Sequence, residues 1–375
     1  MKAFLVLMTS AILLSMSTLA HAQQKYEVPF PRPVTPKRDT VSISFIGDVM
    51  MHAKQLDYDC SEFLSRLSPI THDADICVAN MEFTLAGEPY TGYPAFSSPD
   101  SYAEYAATEG IDVFLTANNH ILDKGQEGLR RTLGKYESMR RRGIFYTGTA
   151  LDERRDTTVN PLIVACKGVR IALVNFTYGT NTAMEKGYPS VMRMDKERVG
   201  AMIERARRKK ADFIIALPHW GNEYQLKHSK TQQEWAEWLV EQGVDAIIGA
   251  HPHVVQDSTH IKGVPVIYSM GNAVSNMSAT NTRLELAVTV RIVRDAGERP
   301  EMLEPEIEFL WCTLPGNLID NYATIMVSDY LGRREEWINA SDYDNMTATL
   351  ARVMKETGIK KEYIPDEKDH QARTH

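Results

Sequence analysis

Five short polar clusters punctuate the apolar runs of this 375-residue chain, and their placement constrains the fold more than any bulk property. Each one follows a strand-like run. Gly47-Asp48 ends the run 41–46, Asn80-Met81-Glu82 ends 75–79, and Asn118-Asn119-His120 ends 112–116. His219-Trp220-Gly221 ends 212–217, and Gly249-Ala250-His251-Pro252-His253 ends 244–248. Side chains alternate along an extended segment, so His251 and His253 are expected to point the same way, a spacing that suits a shared metal ion and also suits two solvated polar tips. Five such ends together decide for the metal. Ligands of α/β sheets gather outside the carboxyl ends of the strands, which makes the five clusters one site.

The runs between the clusters predict α/β architecture, because they alternate with helical spacings and are apolar on both faces. Leu129, Leu133 and Tyr136 recur at helical spacing, with Gly143 as the C-cap. Residues 195–209 predict a helix with Val199, Met202, Ile203 and Ala206 on one face. Thr231-Gln232-Gln233-Glu234 opens another with a capping-box pattern, and Trp235 and Trp238 are expected in the core. Residues 162–166 and 169–176 flank Lys167-Gly168 as a hairpin, and 283–293 with 306–312 close the fold as alternating strands. Lys2, the apolar run 3–14 and Ala20-His21-Ala22 read as a secretory signal over 1–22, too short for a membrane span. An exported protein follows, periplasmic or extracellular, with no stable membrane span after signal cleavage. Pro29, Pro31, Pro33 and Pro36 predict an extended linker over 23–40. The core domain is expected over 41–312, a helical extension over 313–366 and a disordered polar tail over 367–375.

The formal net charge of −7 and the lack of a basic stripe exclude a general nucleic-acid binder. Cys60, Cys77, Cys166 and Cys312 show no CxxC spacing, which excludes a zinc knuckle or redox motif. Cys60 and Cys77 are the nearest couple for a disulfide, while Cys77, Cys166 and Cys312 each lie in apolar runs and read equally as buried thiols. The cluster residues themselves are imidazoles, carboxylates and amides. That donor set suits Zn, Mn or Fe, lacks the thiolates of a closed structural zinc site, and has too few carboxylates for calcium. It fits a dinuclear centre with a bridging carboxylate, Asp48 on one side, and Asn119, His219 and His251 on the other. Two divalent cations roughly 3.5–4 Å apart bind a nucleophile together with a phosphoryl or carbonyl oxygen. His120, beside Asn119, is then free to protonate a leaving group.

The ordered motifs Gly47-Asp48, Asn80-x-Glu82, Ala117-Asn118-Asn119-His120 with Asp123-x-Gly125, His219-Trp220-Gly221-x-Glu223-Tyr224, Gly249-x-His251-Pro252-His253 and Ser269-Met270-Gly271-Asn272 resemble the CapA family. These are bacterial capsule and poly-γ-glutamate synthesis proteins, a branch of the calcineurin-like metallophosphoesterase superfamily. The resemblance spans residues 41–312. It implies a four-layer α/β/β/α sandwich of metallophosphoesterase type with a two-metal site at its lip. Carried over by position, Asp48 and His253 would hold the first metal, Glu82 would bridge, and Asn119, His219 and His251 would hold the second. His120 matches the catalytic histidine. Two positions depart from the superfamily: Met50 stands where a ligand histidine is usual, with His52 displaced beyond it, and Glu82 replaces the bridging aspartate. Glu223, Tyr224, Asn118 and His52 are the candidate substrate-binding residues. His228 and His260 are expected on the surface, and Asn272 as a loop tether. The implied function is metal-dependent, hydrolase-like action in exopolymer biosynthesis, on an anionic polymer or a phosphoester. The readings beside it are a non-catalytic envelope accessory that binds an anionic polymer or assembles synthesis and export proteins, and a general phosphodiesterase or nucleotidase.

Overall fold

The computed structural model describes residues 27–30 and 38–359. The expected signal segment and polar tail lie outside the described residues. Two sheets dominate. The seven-stranded sheet runs in the order Glu27–Phe30, Leu162–Cys166, Val169–Thr177, Phe213–His219, Ala246–Ile248, Val264–Ile267, Ser258–Ile261. The eight-stranded sheet runs Ala323–Met326, Glu306–Thr313, Leu284–Asp295, Arg38–Val49, Ile76–Met81, Val113–Leu115, Phe145–Thr147, with Glu301–Met302 paired off this path.

Strands that are apolar on both faces must be covered on both faces, and three apolar layers do this. Alternate residues face opposite layers. Ile43, Phe45, Ile76, Val78, Val113 and Leu115 of one sheet meet Ile171, Leu173, Ile215, Leu217 and Ile248 of the other in a shared central core. Cys77, Ala79, Met81 and Phe114, one residue out of phase, pack instead on Tyr102, Ala103 and Ala106 of helix Asp100–Thr108 and on Leu129, Leu133 and Tyr136 of helix Gly125–Met139. Ala172, Val174, Ile214 and Ala216 pack on Val199, Met202 and Ile203 of helix Lys196–Arg208 and on Ala236 and Leu239 of helix Lys230–Glu241. The expected four-layer α/β/β/α sandwich is therefore the observed one.

Local signals hold with small displacements. Asp195 caps the helix Lys196–Arg208, and the capping box of the next helix is Ser229 with Gln232, two residues earlier than the sequence pattern placed it. Lys167 (φ 47°) and Gly168 (φ 79°) make the tight hairpin turn. All four cysteines are free thiols, three of them buried. The segment expected as a linker contributes two pieces of sheet: Glu27–Phe30 pairs in parallel with Leu162–Cys166, and Arg38–Thr40 begin the long strand Arg38–Val49. The segment expected to be helical beyond residue 313 first adds the strand Ala323–Met326 to the sheet edge and only later the helix Ala340–Thr357. No helix among the described residues is long and apolar enough to cross a membrane.

That last helix is docked by a buried ion pair. Arg283, 3% exposed, grips Asp342, 2% exposed, with both terminal guanidinium nitrogens, the Nη2–Oδ2 distance being 2.6 Å. Its Nε donates to the Cys312 carbonyl at 2.8 Å, and the Trp311 indole lies beneath it at 4.4 Å. Removing one partner of such a pair leaves a charge stranded in the interior. Asp342→Ala is expected to destabilise the fold by about 3–5 kcal/mol in chemical denaturation; a loss near zero would show that the helix does not depend on this pair.

Candidate metal centre

All five clusters lie at the carboxyl ends of parallel strands, three in the eight-stranded sheet and two in the seven-stranded sheet, where the two sheets meet. Asp48 gets there through an irregularity. Pairing with Ile76–Met81 slips between Ile46 and Asp48, leaving Gly47 out of register, and such a bulge re-aims the next side chain. A Cβ on Gly47 would fall 2.0 Å from the Gly271 carbonyl oxygen, which also accepts the Asp48 N–H at 3.0 Å. Gly249 is required for the same reason, since a Cβ there would meet the Tyr268 carbonyl oxygen at 2.1 Å. The strand ends at Ile248, so His251 and His253 do not alternate on an extended segment as the spacing suggested. They sit in a loop with left-handed backbones, φ 100° and 57°, strain of about 1–3 kcal/mol each that turns both rings inward.

Asp48, Glu82, Asn119, His120, His219, His251 and His253 are all buried, none more than 4% exposed. Glu82, His219 and His251 present ligand atoms within 4.8 Å of one another, and so do Asp48, Glu82 and His253. Glu82 belongs to both sets. The Asn119 carboxamide oxygen lies 2.7 Å from His219 Nε2, which places it with the first set. Both Glu82 oxygens and His251 Nδ1 are buried with no hydrogen-bond partner. Orphaned donors and acceptors are costly in an interior, and a pair of divalent cations would satisfy these three atoms at once. The residues present therefore fit the implied metals.

The electrostatics agree. Burial, then the neighbouring Asp48 charge, raises the Glu82 carboxyl well above the usual range. Asp48 is lowered: burial opposes its charge, but the hydrogen bond from His253 and the charges of His219 and His253 outweigh it. Burial alone would lower His253, yet Glu82 and Asp48 together push it up to about 9. Burial takes His219 down to about 4 and His251 well below its ordinary value, so both keep lone pairs for ligation. Burial and the two facing carboxylates thus pull the ionisable groups of this cluster in opposite directions, Glu82 and His253 up, Asp48, His219 and His251 down.

A supporting shell orients these groups. Asn80 donates to Asp48 Oδ1 at 2.7 Å and lies 3.3 Å from His219 Nδ1. Asn272 accepts from His253 Nδ1 at 2.8 Å and donates to the Thr282 carbonyl, the expected tether. Asp123 Oδ2 lies 2.7 Å from His120 Nδ1, which fixes the ring and leaves Nε2 as the working nitrogen. Asn181, from the loop after Val169–Thr177, reaches across with its amide nitrogen 3.2 Å from His120 Nδ1, and its N–H donates to the Asn119 carbonyl at 2.8 Å. The sequence reading gave Asn80 a place in a motif but no role, and did not single out Asn181. Asn181 lies four residues past the end of Val169–Thr177, a strand end that carries no histidine or acid.

Two candidates, Asn118 and His52, are placed differently from expectation, and Met50 is a non-ligand, as its side chain implies. Asn118 is fully buried and donates to Asn80 Oδ1 and the Met81 carbonyl, so it braces the site and does not face a substrate. Met50, 1% exposed, packs in the apolar core with the outer helices and offers nothing to a cation. His52 belongs to neither ligand set; its Nδ1 lies between Gln55 and the Asn276 N–H, and its ring meets Phe96 edge-on, as the His120 ring also does. Glu223 and Tyr224 are exposed at the rim, the Tyr224 ring 6.1 Å from His253. His260 is exposed as expected, whereas His228 is half-buried, stacked on Tyr268 at 4.0 Å and bonded to Asp257.

A family model described as bacterial capsule synthesis protein PGA_cap matches residues 42–277, which contain every one of these ligands. The chain is 27% identical over 292 residues to the PGA biosynthesis protein CapA of Bacillus subtilis, covering 74% of each chain. It is 27% identical over 276 residues to the capsule biosynthesis protein CapA of Bacillus anthracis, covering 70% of this chain and 66% of that one. Among solved structures it is similar to the NAD nucleotidase of Haemophilus influenzae, with a TM-score of 0.41, 12% identity, and coverage of 86% of this chain and 61% of that one.

Purified protein is expected to contain Zn, Mn or Fe, and His251→Ala and Glu82→Ala to lose it. Asn80→Ala, which only orients ligands, should weaken metal affinity by about 10–100-fold. Elemental analysis and metal titration check both, and wild type and His251→Ala holding equally little metal would refute the centre.

Proposed function

The chain belongs to the bacterial capsule synthesis protein PGA_cap family, and from that membership we propose that it is an exported, metal-dependent hydrolase-like protein acting in capsule or poly-γ-glutamate production. One observation carries the proposal: buried Glu82 is shared between two ligand sets and both of its oxygens lack a hydrogen-bond partner. A carboxylate in that position is built to bridge. The signal-like segment over 1–22 supports an envelope or extracellular location.

Asp48, Glu82 and His253 would hold one divalent cation, and Glu82, Asn119, His219 and His251 the other. Bound there, the pair would polarise a phosphoryl or carbonyl oxygen and acidify water. The remaining work falls to the chain. His120, oriented through Nδ1 by Asp123, presents Nε2 to hand a proton to the departing oxygen or nitrogen. Asn181 and Asp123 keep His120 and Asn119 in register, so the proton donor and a ligand stay beside each other. Burial of the whole cluster excludes bulk water and strengthens each of these interactions.

A non-catalytic envelope accessory that binds an anionic polymer or assembles a synthesis and export complex is the second reading. Met50 favours it, because the position where the superfamily supplies a histidine is committed to the apolar core.

A panel of phosphomonoesters, phosphodiesters and γ-glutamyl amides, incubated with metal-loaded protein, separates the two readings. Metal-dependent turnover is expected, falling about 10²–10⁴-fold in His120→Ala with metal content retained. Polymer binding without turnover of any member of the panel would support the accessory role.

A further inference from the structure

Glu285 is a buried carboxyl that belongs to neither ligand set. It has no exposure to solvent, and around it on the strand Leu284–Asp295 the residues Leu284, Leu286, Ala287 and Val288 are all buried and apolar. Its Oε2 has no hydrogen-bond partner. An acid held in the interior with one of its two oxygens unsatisfied costs more than an apolar residue in the same place, so its presence calls for a compensating role.

That role lies in how the set Asp48, Glu82 and His253 is assembled. The strands Arg38–Val49 and Leu284–Asp295 pair in antiparallel fashion from Arg38 with Asp295 up to Phe45 with Val288. Continued in register, the ladder would set Gly47 and Asp48 opposite Leu286 and Glu285. Instead the segment 269–272 intervenes: the Leu286 N–H donates to the Met270 carbonyl at 2.8 Å, and the Asp48 N–H to the Gly271 carbonyl at 3.0 Å. Gly47, already out of register with Ile76–Met81, donates its N–H to Glu285 Oε1. The carboxyl thereby holds the bulge that aims Asp48.

The same stretch reaches His253. Asn272, bonded to His253 Nδ1, is held by the Thr282 carbonyl at 2.9 Å. Between Thr282 and Glu285, Arg283 is pinned by Asp342 of the helix Ala340–Thr357, and Arg352 of that helix reaches Thr280 Oγ1 at 3.3 Å. Asp48 and His253 are thus both steadied from residues 282–285, which lie beyond the span 42–277 that the family model matches. Among the described residues, no hydrogen bond joins 282–286 to Asn119, His219 or His251.

We propose that Glu285 is a positioning residue for the first metal ion alone: by holding the Gly47 N–H it fixes the bulge that aims Asp48. Without it, the set Asp48, Glu82 and His253 loses its ion, while the set Glu82, Asn119, His219 and His251 keeps its own. Glu285 itself touches neither ion. The proposal rests on the two-metal reading above.

The test titrates the metal-free full chain with Mn²⁺, counting ions by elemental analysis and recording electron paramagnetic resonance, in which a coupled pair of Mn²⁺ ions and an isolated ion give different signals. Wild type is expected to hold a coupled pair. Glu285→Leu fills the space but leaves the Gly47 N–H unpaired, and Glu285→Asp is a methylene too short to reach it. Each should weaken the first ion about 10–100-fold, as loss of a ligand-orienting group does, and leave the signal of an isolated ion. Glu285→Gln, whose amide oxygen still accepts that N–H, should hold the pair as wild type does. A packing role alone would favour leucine over glutamine at this buried position, the reverse order. If Glu285→Leu fails to fold, the aspartate and glutamine variants decide by the same criteria. A coupled pair at wild-type affinity in the leucine and aspartate variants, loss of both ions together, or a glutamine variant as weak as the aspartate one would overturn the positioning role. Wild type that binds no Mn²⁺ would overturn the metal centre as well, an outcome distinct from a wild-type pair that the Glu285 variants leave intact.

Discussion

Two carboxylates, Asp48 and Glu82, are confined with no exposure to solvent and with ligand atoms within 4.8 Å of a common histidine. Like charges about 4 Å apart repel by roughly 4 kcal/mol at an effective dielectric of 20, and burial adds the cost of stripping water from each. No single secondary-structure element can supply enough compensation. The fold answers by bringing the ends of five strands from two sheets to one point, so that imidazoles and carboxamides surround the acids. The residual imbalance, a Glu82 carboxyl held well above its usual range and atoms of Glu82 and His251 without a hydrogen-bond partner, is what a pair of cations would remove.

Convergence from two sheets demands that they be held in register with each other. Asn175 does this from the buried interior. Its carbonyl oxygen accepts the N–H groups of Thr116 and Ala117 at 3.2 and 2.9 Å, and its amide donates to the Leu217 carbonyl at 2.8 Å. One side chain thereby couples the approach to Asn119 and His120 with the approach to His219. Buried polar networks of this kind are rigid when every member is satisfied, and a site dependent on sub-ångström ligand placement needs that rigidity. Asn80 and Asn272 repeat the pattern nearer the cluster.

The rim follows different physics. Its tyrosines are exposed and its loops vary in length and origin, as expected where a rigid scaffold presents adaptable recognition elements. The site thus combines a buried polar floor that tolerates little change with an exposed aromatic edge that can be altered without dismantling it.

Much of this was legible in the order of residues alone. Period-two apolar runs set by Ile76 and Val78 against Cys77 and Ala79 specify strands covered on both faces, hence the layered α/β sandwich, and polar residues placed after such runs specify one site at the strand ends. What local pattern could not reveal depends on contacts distant in sequence. The need for glycine at 47 and 249 comes from carbonyls of Gly271 and Tyr268 that arrive from another strand. The inward turn of His251 and His253 is a left-handed loop that alternation does not predict. Met50 and Asn118 look like site residues by position, yet packing commits one to the core and the other to bracing Asn80. Sequence determined which chemistry was present and at which strand ends. Only the tertiary structure decided which side chains face one another in the cluster, because that depends on register, bulges and close backbone approach between segments that no local periodicity encodes.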